Sequence, residues 1–140
     1  MENHSAQKIQ PLVLSLSPSP DSVTVVTQAA EAYFDEAELP FAVSTKFCIA
    51  IDEIVSNIVN YSGASLLNVT IECQDNSACI TFRDNGVQYD PTAGAEPDIT
   101  LDASERELGG LGVFMVRKIM DRFEYSCVNG ENTLTIAKNI

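Results

Sequence analysis

Three stretches of this sequence carry residue types whose spacing can do chemistry: Glu53 and Asn57 in FCIAIDEIVSNIVNYS, Asp84 and Gly86 in ITFRDNGVQYDP, and Gly109, Gly110 and Gly112 in LGGLGVFMVRKIMD. In the first, Glu53, Ser56, Asn57, Asn60 and Tyr61 recur at three- and four-residue steps, so a helix would gather their polar ends along one stripe. An Asn amide oxygen suits a hard cation, and a carboxylate one turn earlier can orient or deprotonate a nucleophile. An ordinary solvated helix face has the same spacing, and the isolated pattern is common by chance. In the second stretch, Asp84 follows Phe82 at a strand exit, where a carboxylate can accept a hydrogen bond from an adenine amino group while Gly86 lets the backbone pass close to a ring. A plain Asp-Asn-Gly turn is the competing reading. In the third, glycines lead into a helix whose amino terminus offers free N–H groups and a positive dipole end to a phosphate. Glycine also punctuates loops of every sort, so this stretch alone decides little.

The elements that must position these residues follow from hydrophobic periodicity. PLVLSLS alternates as a half-buried strand, with Leu12, Leu14 and Leu16 on one side. After the breaker SPSP, Val23, Val26, Ala30, Tyr33 and Ala37 predict a first helix, with Ser19 or Asp21 as its cap. Phe47, Ala50, Ile51, Ile54, Val55 and Ile58 predict a second, ending near Ser62-Gly63. Leu67, Val69, Ile71 and Cys73, then Ala78, Ile80 and Phe82, read as a hairpin across QDNS. Residues 84–108 show little periodicity and read as a functional lid loop. Val113, Val116, Met120 and Phe123 mark a third helix, and FEYSCV and TLTIAK close the chain as strands joined near Asn129-Gly130. The expected order is βααββαββ: an α+β, two-layer sandwich with three helices on one face of a mixed, mostly antiparallel sheet.

Bulk properties bound the reading. A chain of 140 residues, 45% hydrophobic, has the length and apolar content of one globular domain over residues 1–140, with 1–10 expected as a flexible tail. The formal charge of −12, with eight Lys and Arg, repels polyanions, so direct nucleic-acid binding is not expected. A triphosphate ligand would need a divalent cation and backbone amides to be held. Cys48, Cys73, Cys79 and Cys127 lack metal-site spacing and read as reduced core residues. His4, the sole histidine, lies in the polar amino-terminal tail, which argues against histidine chemistry. With neither a signal-peptide pattern nor a membrane-length apolar run, a cytoplasmic location without membrane association is expected.

The order E-x-x-x-N on a helix, a hairpin, D-x-G, a lid and G-x-G before another helix resembles the GHKL (Bergerat-fold) ATPase superfamily. Within it, the three quoted stretches look most like the small anti-sigma-factor serine/threonine kinases, which carry a histidine-kinase-like ATPase domain. The resemblance implies ATP and Mg²⁺ as cofactors, with Asn57 as the metal ligand and Glu53 as general base or positioner of the attacking hydroxyl. It implies that Asp84 and Gly86 recognise adenine, that Gly109, Gly110 and Gly112 cradle the phosphates, and that Thr133 reaches the Asp84 region. Arg106 has two readings, a cation over the γ-phosphate or one charge in an acidic loop. The implied activity is phosphorylation of an anti-anti-sigma protein (STAS domain) by a kinase that binds a sigma factor, as a homodimer. The alternative is a non-catalytic ATP-binding module that sequesters its partner, and a third is a degenerate fold without nucleotide. Gln88 and Tyr61 depart from the superfamily's frequent glycine and histidine, which leaves the shape of the adenine pocket open. A phosphorylated-histidine dimerisation helix and a transducer domain are both missing from the pattern.

Overall fold

The computed structural model describes residues 9–74, 76–88 and 110–140. In chain order the elements are β1 (Leu12–Leu16), α1 (Ser22–Glu36), α2 (Phe41–Asn57), a π-helical turn (Ile58–Ser62), β2 (Leu67–Cys73), β3 (Ser77–Asp84), α3 (Gly110–Ile119), β4 (Arg122–Val128) and β5 (Glu131–Asn139). This is the expected βααββαββ order. The strands form one sheet in the order β1-β2-β3-β5-β4. All four pairings are antiparallel, so the described sheet contains none of the parallel pairing that a mixed sheet would include.

Strand alternation decides which side chains reach the helices. Val69 and Ile71 of β2, Ile80 and Phe82 of β3, and Leu134 and Ile136 of β5 point into one apolar cluster with Val26, Ala30 and Phe34 of α1, Phe47, Ile51 and Val55 of α2, and Val116 of α3. The Phe34 and Phe47 rings stack at 5.0 Å, tying α1 to α2. Burying one such ring contributes about 1.5–3 kcal/mol. The opposite sheet face is polar, and Thr81 and Thr135 meet across β3 and β5.

The helix boundaries have local causes, some of them different from those expected. Asp21 flanks α1 but makes no side-chain cap bond. Instead the Ser19 amide donates to Ser22 Oγ, and Ser19 Oγ accepts from the Asp21 amide. The α2 helix widens into the π turn and stops at Gly63, whose φ of 68° is the left-handed stop that favours glycine. At α3 the helix ends at Ile119, and Phe123 belongs to β4 instead. It still packs on the core from there. Asn129 and Gly130 both have positive φ, as a tight two-residue hairpin turn requires.

The cysteines are all free, yet only Cys73 is buried; Cys48 and Cys79 are half-buried and Cys127 is exposed. The core expectation fails for Cys127 because it lies near the end of β4, an edge strand that the helices do not cover there. Burial pushes the Cys73 thiol up to about 11, so it is a neutral packing group at neutral pH. Among the described residues, no helix is long and apolar enough to cross a membrane.

Candidate functional site

A cavity of about 480 Å³ opens between the end of α2, the exit of β3, α3 and the inner faces of β4 and β5. Ile54, Phe82, Val113, Phe123 and Leu134 give it apolar walls, and Asn57, Tyr61, Ser62, Asp84, Tyr125 and Asn132 its polar groups. Its size is that of a small-molecule site with a few placed polar atoms.

The first two sequence stretches meet at Ser62. The Val87 amide donates to the Ser62 carbonyl at 2.8 Å. A Cβ on Gly86 would lie 2.5 Å from that same carbonyl oxygen and 2.6 Å from the Ser62 side chain, so the close approach demands glycine. Gly86 thus lets β3 pass against the π turn. Asn85 turns the other way, accepting from the Ser65 and Leu66 amides and donating to Ser65 Oγ. The Asp-Asn-Gly segment is therefore a junction between two elements as well as a turn.

Asp84 is 7% exposed at the cavity wall. Its Oδ1 accepts from the Gly86 amide at 2.8 Å and from Asn132 Nδ2 at 3.1 Å. No hydrogen bond to Oδ2 forms among the described residues. On α2, Asn57 Nδ2 donates to Glu53 Oε2 at 2.9 Å, which turns the donor end of the amide toward Glu53, while the residue lines the cavity. Glu53, Ser56 and Asn60 of the expected stripe do not line it, and beyond Asn57 the π turn replaces α-helical spacing before Tyr61 and Ser62 reach the wall.

The third stretch arrives through Gly112. A Cβ there would overlap the Glu53 carboxylate, so the first turn of α3 lies directly against that side chain. Gly110 begins the helix. Gly109, Arg106 and all but the first residues of the 84–108 loop lie outside the described residues, as does His4. Thr133 pairs with Arg83 on the sheet and is absent from the cavity wall. The residue that reaches Asp84 is its neighbour Asn132, because alternation sends 132, 134 and 136 inward and 133 and 135 outward. Asn132 and Tyr125 were missed by sequence reasoning, although the same parity that puts Leu134 in the core already points to Asn132.

The family model for the histidine kinase-like ATPase domain matches residues 16–138. The chain belongs to that family. It is similar to the serine/threonine-protein kinase BtrW of Bordetella bronchiseptica, 25% identical over 127 residues that cover 84% of this chain and 89% of BtrW. The crystal structure of the RsbU and RsbW domains of Rv1364c from Mycobacterium tuberculosis has the same fold, with a TM-score of 0.66 at 15% identity. That likeness covers 93% of this chain but 32% of the other. The family match runs from the end of β1 to β5 and so takes in all three stretches that meet at the cavity.

Proposed function

We propose that this chain is an ATP-dependent serine/threonine protein kinase of the anti-sigma-factor type, which binds a sigma factor and phosphorylates an anti-anti-sigma protein with a STAS domain. The observation that carries the reading is the meeting of Glu53 with both Asn57 and Gly112 beside the cavity that Asp84 enters. Family membership and similarity to a serine/threonine kinase support the same activity.

The residues present suit ATP and Mg²⁺. Asp84 Oδ2 carries no hydrogen bond among the described residues, in a wall of apolar side chains, which fits an adenine amino group. Asn57, its Nδ2 donating to Glu53, keeps an amide oxygen as a ligand for a hard cation. ATP with Mg²⁺ supplies the transferable phosphoryl group and the charge neutralisation that its transfer needs. Glu53 orients the attacking hydroxyl or takes its proton, and the Gly110 to Gly112 turn offers the N–H groups of a helix start to phosphate oxygens.

Incubation with radiolabelled ATP, Mg²⁺ and a candidate anti-anti-sigma protein tests the reading. The unaltered chain should label Ser or Thr on that protein, and Glu53→Gln should cut labelling by about 10²-fold or more while nucleotide binding is largely kept. Labelling that survives Glu53→Gln removes Glu53 from the mechanism. Partner binding without any transfer, indifferent to the substitution, returns the non-catalytic binding module.

A further inference from the structure

Asp84 is almost fully buried, and besides the Gly86 amide its carboxylate is held by Asn132 of β5, which in turn is held by Tyr125 of β4. Asn132 stands opposite Asp84 in the β3–β5 register and opposite Cys127 in the β4–β5 register. Its Nδ2 donates to Asp84 Oδ1 at 3.1 Å, to the Gly86 carbonyl at 3.4 Å and to the Val87 carbonyl at 2.9 Å. Its Oδ1 accepts from the Tyr125 hydroxyl. The three acceptors around Nδ2 fix the orientation of the amide, because rotating it by half a turn would set its oxygen against Asp84 Oδ1 and the Gly86 and Val87 carbonyls. Asn132 is itself 7% exposed, so such a mismatch would be buried.

We propose that Tyr125 and Asn132 form a clamp that positions Asp84 and makes the cavity selective for a purine with an amino group, against one with an oxo group, at the corresponding ring position. This rests on the nucleotide reading above and goes beyond it by naming what sets base specificity in this chain. With Oδ1 taken up by the Gly86 and Asn132 N–H groups, Oδ2 is the face that Asp84 presents to a ligand. A carboxylate there accepts only, so an amino group is bound while a carbonyl oxygen meets a second acceptor in an apolar wall. A site built to hydrogen-bond one group rejects an analogue that lacks it far more strongly than an apolar pocket rejects a methylene. By holding the Gly86 and Val87 carbonyls, the clamp also fixes the β3 exit against the sheet, so that Asp84 cannot swing to relieve the mismatch.

Tyr125 and Asn132 act here through Asp84, so the test needs readouts that general damage would not move. We would measure the Kd of ATP and of inosine triphosphate, which carries an oxo group in place of the amino group, for the unaltered chain, Tyr125→Phe, Asn132→Leu, Asp84→Asn and the pairwise double variants. The unaltered chain should prefer ATP by about 10²-fold or more, and Asn132→Leu and Tyr125→Phe should each narrow that ratio, by about tenfold and threefold. In Asp84→Asn the further change Asn132→Leu should cost ATP less than about twofold, because a positioning residue has nothing left to position. An unchanged ATP to inosine triphosphate ratio in both single variants, or costs that add fully with Asp84→Asn, overturns the clamp. Should Asn132→Leu fail to fold, the ratio in Tyr125→Phe decides by itself. An unaltered chain that binds no ATP overturns the nucleotide reading and the clamp with it, a result distinct from binding without selectivity.

Discussion

An added methyl group has different consequences at Gly86 and Gly112, because different atoms stand in its way. At Gly86 the obstacle is the Ser62 carbonyl, part of the backbone of the π turn, which can yield only if the turn moves. Gly86→Ala should therefore lower unfolding stability by about 1–3 kcal/mol in urea titration, as overpacked sites do. At Gly112 the obstacle is the far end of the Glu53 side chain, which can rotate away. Gly112→Ala should leave stability within about 1 kcal/mol of the unaltered chain. Its cost appears in phosphotransfer, which should fall about tenfold or more as Glu53 leaves Asn57. Equal losses of stability in the two variants would contradict this division. At this scale the sequence was legible where one residue type has one physical use. Glycine before a helix and a carboxylate at a strand exit fall in this class. It was not legible where a contact depends on which strand lies alongside. Nothing in the spacing of Asp84 and Asn132 along the chain says that β5 pairs with β3, and the family resemblance points to Thr133, one residue away from the side chain that reaches Asp84.

Elements were easier to read, since amphipathic period is a property of the local chain. All five strands and three helices stand where alternation or helical stripes put them. The misses occur where tertiary contacts overrule the local pattern. Phe123 continues the helical spacing of Val113, Val116 and Met120, but the chain leaves the helix after Ile119 because Asp121 is claimed by the sheet. Its amide donates to the Ala137 carbonyl, and its Oδ2 accepts from the Asn139 amide at 2.6 Å. That amide, with Lys138 beside it, holds the Asp121 carboxyl below its ordinary 3.8. A carboxylate with a depressed folded-state pKa adds stability at pH values above its unfolded value, and the contribution is lost as pH falls through the folded value. The melting temperature of the unaltered chain should thus decline as the pH drops below about 3.8, and Asp121→Asn should show a shallower decline over the same window. Parallel acid limbs in the two proteins would show that the Asn139 contact contributes nothing to stability.

For the whole molecule, the informative fact is that sites distant in the chain close one cavity. Position 57 lies on α2, 84 at the exit of β3 and 132 on β5, and all three line it. Ser62 against Gly86 and Glu53 against Gly112 are the two close approaches that bring the elements together, and each is possible only without a Cβ. With a formal charge of −12, the protein offers a nucleotide triphosphate little long-range attraction, so binding must come from placed groups and a divalent cation. The central claim is best tested by calorimetric titration of ATP with Mg²⁺ into the unaltered chain, Asp84→Asn and Asn57→Ala. We predict one nucleotide per chain, an affinity about tenfold or more weaker in Asp84→Asn whether or not Mg²⁺ is present, and a loss in Asn57→Ala only when Mg²⁺ is present. Binding that neither substitution weakens would contradict the account, because the nucleotide would then lie somewhere other than the cavity these residues line.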